Sequence, residues 1–212
     1  MTRFEDMLDR VGACRICRDR PVGKPLPHEP RPVLQASRTA RILIAGQAPG
    51  IRVHASGRPF TDPSGVRLRE WLGVDEKAFY DERNFAIIPM GFCFPGLDAK
   101  GADLPPRREC APAWRSLLIA EMPQAELVIC LGAHAMRWHM GPAFAGSVDS
   151  AVRNWREGLT LSPAVMALPH PSWRNSGWLK RNSWFEEELL PVLRQRVGSL
   201  LPAKLEGGAS PV

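Results

Sequence analysis

The stretch RILIAGQAPG, residues 41–50, decides the fold. Residues 41–45 are apolar after Arg41, the pattern of a strand buried on both faces, and residues 46–50 read as the turn at its C-terminal end. Outward from that strand the pattern alternates. Leu68, Trp71 and Leu72 mark a helix stopped by Gly73, residues 85–90 form a second apolar strand, and residues 107–121 form a helix. A third strand (ELVICLG, 126–132), a helix over 133–140 and a fourth strand over 165–168 follow.

The flanks frame this unit. Phe4, Met7, Leu8 and Val11 recur at helical spacing, in a short amphipathic helix that stops near Gly12. Residues 18–39 are Pro-rich and aperiodic, which predicts a loop packed across the domain. The last helix is expected to start at Ser183 with a Ser-x-x-Glu box to Glu186. It would run through Phe185, Leu189, Leu193 and Val197 with a bend at Pro191. The small, polar residues 198–212 predict a disordered tail.

Strands alternating with helices predict an α/β chain, a three-layer α/β/α sandwich with a mostly parallel four-stranded central sheet, over one domain spanning residues 1–197. Ligands of such sheets bind beyond the C-terminal strand edge. Residues 46–50, 90–94 and 169–175 would emerge there and share one pocket.

The chain has 212 residues, enough for one substantial core, and carries 28 Lys and Arg against 22 Asp and Glu. The formal charge of +6 favours an anionic partner without naming it. The opening MTRFEDMLDRVGACRIC lacks a basic-then-apolar leader, and no stretch approaches ~18 consecutive apolar residues, so the expectation is a cytoplasmic monomer with no membrane association.

Five cysteines in a reducing compartment are poor disulfide candidates. Cys14 and Cys17 form a Cys-x2-Cys pair, and Cys93 and Cys110 lie far downstream. Four such thiols suit an iron-sulfur cluster or zinc, or are simply buried. Cys130, inside the third strand, reads as core.

GQAPG after a strand, GRPF (residues 57–60) downstream, a strand ending near a cysteine, and HPS (residues 170–172) after the last strand together resemble the uracil-DNA glycosylase superfamily. The cysteine spacing resembles its iron-sulfur branches, which implies a structural 4Fe-4S cluster on Cys14, Cys17, Cys93 and Cys110, with zinc as the other metal. The resemblance covers about residues 10 to 197. It implies hydrolysis of the N-glycosidic bond of uracil or another damaged base in DNA by a monofunctional enzyme. The alternative is a non-catalytic or differently specialised nucleic-acid-binding member. An unrelated enzyme acting on a small phosphorylated molecule is weakened by the absence of a Walker or Rossmann glycine pattern.

The resemblance also distributes roles. Gly46, Gln47, Ala48, Pro49 and Gly50 form the base-pocket loop, whose glycines permit close backbone approach. Ala48 stands where the best-known branch has an acidic water activator. Gln47 stands where the iron-sulfur branches often have Glu, and an amide orients water without taking its proton. His170 is expected to stabilise the departing base by hydrogen bond or charge, and Phe60 to stack on it. Pro89 replaces a base-reading Asn and offers neither a side-chain donor nor an N–H. The loop Ser172, Trp173, Arg174 and Asn175 would press on DNA, with Trp173 as a wedge. Arg174, Lys180 and Arg181, with Arg107 and Arg108 as a further pair, would touch phosphates.

Overall fold

A computed structural model of the protein describes residues 2–144 and 146–202. The elements run α1 (Arg3–Gly12), α2 (Ile16–Asp19), β1 (Ile42–Ala45), α3 (Ile51–Ser56), α4 (Pro63–Leu72), α5 (Glu76–Phe79), β2 (Phe85–Ile87) and α6 (Cys110–Ala120). They continue β3 (Leu127–Leu131), α7 (Ala133–Met140), α8 (Val148–Arg153), α9 (Trp155–Gly158), β4 (Ala164–Leu168), α10 (Ser176–Arg181) and α11 (Leu190–Leu200). No helix among the described residues is long and apolar enough to cross a membrane.

The four strands pair in the order β2-β1-β3-β4, every pair parallel. Nearly every strand residue is buried, at odd and even positions alike, so both faces of the sheet are covered by helices and loops. The α/β architecture read from the sequence is therefore the one observed. β1 pairs with β2 on one side and β3 on the other. Chain direction across the sheet reverses at β1, and the loops leaving its C-terminal edge open a crevice there.

The loop expected over 18–39 is observed from residue 20 on, since Arg18 and Asp19 belong to α2, and it also closes the sheet. Gln35 bridges Ile87 in antiparallel fashion, and its amide donates to the Phe85 carbonyl at 2.8 Å, which occupies the free edge of β2. The second strand is shorter than the expected 85–90. Pro89 interrupts it, yet Ile88 and Met90 still donate to the Ile44 and Gly46 carbonyls at 2.9 Å. The proline is tolerated because alternate residues face β1 and position 89 faces away.

Helix limits also differ from the sequence expectation. The helix expected over 107–121 is α6, which begins at Cys110 itself. At the other end, one π-helical turn, Phe185–Leu189, precedes α11, and Pro191 falls in the first turn of α11, where its missing N–H costs nothing. The Ser183–Glu186 box does not form, since Ser183 instead offers its carbonyl to the Glu186 and Glu187 amides. A capping box closes α1 instead, between Thr2 and Glu5. α11 runs through Leu200, three residues beyond the expected end of the domain. The rest of the expected tail, residues 203–212, lies outside the described residues.

Trp71 of α4 meets Phe185 edge-on at 4.9 Å between ring centres, which joins the two long helices over the core.

Candidate functional site

The β1 strand ends at Ala45, and the chain turns through Gly46 and Gly50 into α3. Gly91 donates to the Gln47 carbonyl at 2.9 Å, so the turns after β1 and β2 are tied together. Between them lies a cavity of about 250 Å³. Gly46, Gln47, Ala48, Pro49, Gly50, Phe60, Pro89 and His170 all line it, so residues from four distant stretches meet as the sequence suggested. The second loop contributes Ile87 and Pro89 rather than residues 90–94, which turn away toward the cysteines.

Phe60 holds a left-handed backbone, φ 56°, which a non-glycine residue adopts only when its surroundings enforce it. The Tyr80 hydroxyl donates to the carbonyls of Pro59 at 2.7 Å and Phe60 at 3.1 Å. Gly65 must be glycine, because a Cβ there would collide with the Phe60 carbonyl. Phe79 meets the Phe60 ring edge-on at 6.1 Å. The result is an aromatic wall of the cavity beside Gly46, where a Cβ would lie 3.9 Å from the ring.

His170 follows β4, and its carbonyl accepts the Asn175 amide at 2.7 Å, which folds the 170–175 loop back on itself. Burial holds the imidazole below its usual pKa. The carboxylates of Asp62 and Asp103 pull it upward, and Arg174 adds to the lowering. At neutral pH the ring is therefore neutral and acts as a hydrogen-bond donor rather than a cation.

Asp62 and Asp103 were not singled out from sequence. Asp62 reads as a helix cap before Pro63, and that signal was legible. Asp103 sits in GADLPP, where nothing local marks it. Gln47 lines the cavity, and one N–H of its amide donates to the Leu104 carbonyl at 3.2 Å. That side chain pins a loop.

Beside the cavity, Arg52, Asp62, Ser64, Arg67, Ser172 and Trp173 line a second, open depression. Trp173 is 77% exposed, the most exposed large apolar side chain among the described residues. Arg67 donates to the Ser172 carbonyl at 3.0 Å and approaches Ser176 Oγ, and so braces the loop that presents the indole. Arg174, Lys180 and Arg181 are exposed and form no ion pair among the described residues. Lys180 stands around the corner, in a hollow shared with Arg67, Glu70 and Arg194. Arg107 is not available as expected, because it pairs with Glu109 at 2.8 Å in a largely buried site. Arg108 is exposed, in a groove with Trp138.

Cys14, Cys17, Cys93 and Cys110 line one small enclosed cavity of about 20 Å³, and all four are free thiols. The Trp114 indole N–H donates to Cys14 Sγ at 3.1 Å, and the Phe92 N–H to Cys110 Sγ at 3.3 Å. A hydrogen bond from Cys93 and the nearby Arg107 lower the Cys17 thiol to about 7 against its burial, while burial pushes Cys110 up to about 12. Among the described residues no three His, Cys, Asp or Glu side chains are disposed to hold a single metal ion. The donor set nonetheless fits a thiolate-bound cluster by chemistry: four soft ligands converge on one enclosed space, and N–H groups point at two of them. Cys130 is fully buried in β3, as core.

The family model described as the Uracil DNA glycosylase superfamily matches residues 34–194. The matched span contains the cavity residues from Gly46 to His170, and Cys93 and Cys110. It leaves Cys14 and Cys17 outside.

Proposed function

The chain belongs to the uracil-DNA glycosylase superfamily, and on that premise we propose that it is a monofunctional glycosylase that hydrolyses the bond between deoxyribose and a deaminated or otherwise damaged base. A DNA glycosylase-type function acting on DNA comes with the family. The base and the residue roles are the proposal. The observation that carries it is the cavity at the sheet edge, which combines an aromatic wall with His170, beside a depression that presents an exposed tryptophan.

In this reading an extruded base stacks on Phe60 inside the cavity while Trp173 fills the gap it leaves in the duplex. The His170 N–H donates to an oxygen of the base as the glycosidic bond breaks and negative charge collects there. Arg174, Lys180 and Arg181 hold the phosphates around the extruded nucleotide. No lysine is among the described residues lining the cavity, so an imine-forming, strand-cleaving chemistry has no nucleophile and water takes that role.

Pro89 offers neither side-chain nor backbone donor, so no group at that position reads the Watson–Crick edge of uracil. Recognition falls to the backbone of the 46–50 turn and to cavity shape, which suits a base defined by its outline more than by one amide. Hypoxanthine and xanthine belong beside uracil among the candidate substrates.

Cys14, Cys17, Cys93 and Cys110 hold an iron-sulfur cluster of the four-iron type in this proposal, supported by their common cavity. Bound there, the cluster would brace the 91–93 segment, whose first residue is hydrogen-bonded to Gln47 of the base turn.

The deciding experiment incubates the pure protein with oligonucleotides carrying uracil, hypoxanthine or xanthine, then breaks abasic sites with alkali. Strand scission at one of these bases supports the glycosylase. Tight binding of the same DNA with no scission favours a binding protein on this fold.

A further inference from the structure

The turn after β1 supplies no proton acceptor: Ala48 has no functional group, and the Gln47 amide is committed to the Leu104 carbonyl. Two carboxylates nevertheless line the same cavity, Asp62 and Asp103. Both oxygens of Asp62 accept from the Ser64 hydroxyl, at 2.7 and 2.8 Å, at the start of α4. Among the described residues, the Asp103 carboxylate accepts no hydrogen bond.

Asp103 is held in place by everything around it. Its backbone bridges Leu97. Inside that hairpin the Asp98 side chain accepts the Lys100 and Ala102 amides at 2.8 and 2.9 Å, and Leu104 donates to the Gly96 carbonyl at 2.9 Å. Gln47 then ties Leu104 to the base turn. The carboxylate lies over Gly50, where a Cβ would come within 3.4 Å of Oδ2. Partial burial of the carboxylate raises the Asp103 pKa from its ordinary value, opposed by Arg174 and His170 and helped by Asp62. Asp103 is also solvent-exposed, at the mouth of the cavity rather than its floor. A base enters such a cavity first, and its sugar remains at the mouth.

We propose that Asp103 is the catalytic carboxylate of this site, brought from a different loop to replace the acid that residue 48 lacks. This inference rests on the glycosylase reading. In the step, the oxygen of water bonds to the sugar C1′ as the C1′–N bond breaks, and that bond's electron pair leaves with the base. The water's surplus proton passes to the Asp103 carboxylate, and His170 donates a hydrogen bond to the departing base. Because breaking of the C1′–N bond runs ahead of bonding to water, positive charge builds on the sugar during the step, and the same carboxylate faces it. The Gly50 position keeps the path between carboxylate and cavity open.

The test compares wild type with Asp103→Asn and Asp103→Glu in two measurements. In single-turnover cleavage, Asp103→Asn should be slower by on the order of 10²-fold or more, the usual contribution of a positioned general base, with Asp103→Glu recovering part of the rate. In binding, duplexes carrying a cationic pyrrolidine abasic analogue or a neutral tetrahydrofuran one are compared. Wild type should prefer the cation by roughly 5-fold or more, as expected of a water-facing carboxylate at close range, and Asp103→Asn should lose the preference. Wild-type cleavage with an equally fast Asp103→Asn overturns Asp103 and leaves the glycosylase standing. Failure of the wild type to cleave any base overturns the glycosylase reading, and the cation preference then still decides Asp103: a preference unchanged in Asp103→Asn, or none in wild type, rejects it.

Discussion

The guanidinium of Arg115, fully buried in α6, donates to the carbonyl of Pro89 at 2.8 Å and also to that of Ile88. A buried cation without a carboxylate partner thus clamps the backbone that floors the base cavity. Burial lowers its pKa to about 10, offset in part by the neighbouring Cys130 and Cys110 thiols, so it stays charged at neutral pH. Replacing it by Met would leave two buried carbonyls unpaired, each costing roughly 1–3 kcal/mol. Arg115→Met should therefore lower the urea midpoint strongly at constant slope, with Arg115→Lys intermediate; a midpoint equal to wild type would contradict the clamp.

His139 sits against Arg115, and burial followed by that charge pushes its pKa down to about 3 from 6.5. The unfolded chain then binds a proton that the folded chain refuses. Stability is full above pH 6.5 and falls as pH drops toward 3. Between pH 7 and pH 4.5 wild type should lose on the order of 2–3 kcal/mol more than His139→Gln, which has no proton to gain. Urea titrations at the two pH values measure this, and parallel losses in both proteins would argue against it.

If His170 stabilises the departing base, His170→Ala should slow single-turnover cleavage by on the order of 10²-fold or more, comparable to removing one oxyanion donor. Gln47→Ala should act through loop position and cost less. Ala48→Asp should accelerate wild type only if proton acceptance limits the rate. Equal rates for His170→Ala and wild type on every cleaved base would remove His170 from the mechanism.

Trp173→Ala should weaken binding to lesion duplexes more than to intact DNA, since the indole is needed only where a nucleotide has left the stack. Arg181→Ala should flatten the log-log salt dependence of duplex binding by about 0.9 if it meets one phosphate. An unchanged slope would move the phosphate track elsewhere.

Protein prepared without oxygen should be brown and show visible absorption, and Cys17→Ser or Cys93→Ser should bleach it and lower its melting temperature. Stoichiometric zinc in a colourless protein would keep the shared site and reject the iron. Absence of both metals with normal stability would leave four buried thiols.

Local pattern carried the frame of this protein. The apolar runs at 42–45 and 127–131 read as strands covered on both sides, and parallel strands expose their ligand edge at the C-terminal turns, so the 46–50 loop and His170 were legible as neighbours from pattern, while Phe60 came from the resemblance alone. Trp173 was legible too, as an aromatic in a polar, Pro-flanked loop. Tertiary structure alone decided the rest, because it depends on partners far apart in sequence. Gln47 reads as a free amide until the Leu104 carbonyl, distant in sequence, accepts one of its N–H groups and ties the two loops together. Where the sequence predicts a bend at Pro191, the chain makes a π-helical turn over 185–189 that runs without a break into α11. Asp103 sits in a local hairpin on Asp98, but its place beside the cavity comes from the tie of Leu104 to Gln47 and from the bare Gly50, two long-range conditions that no short window of sequence contains.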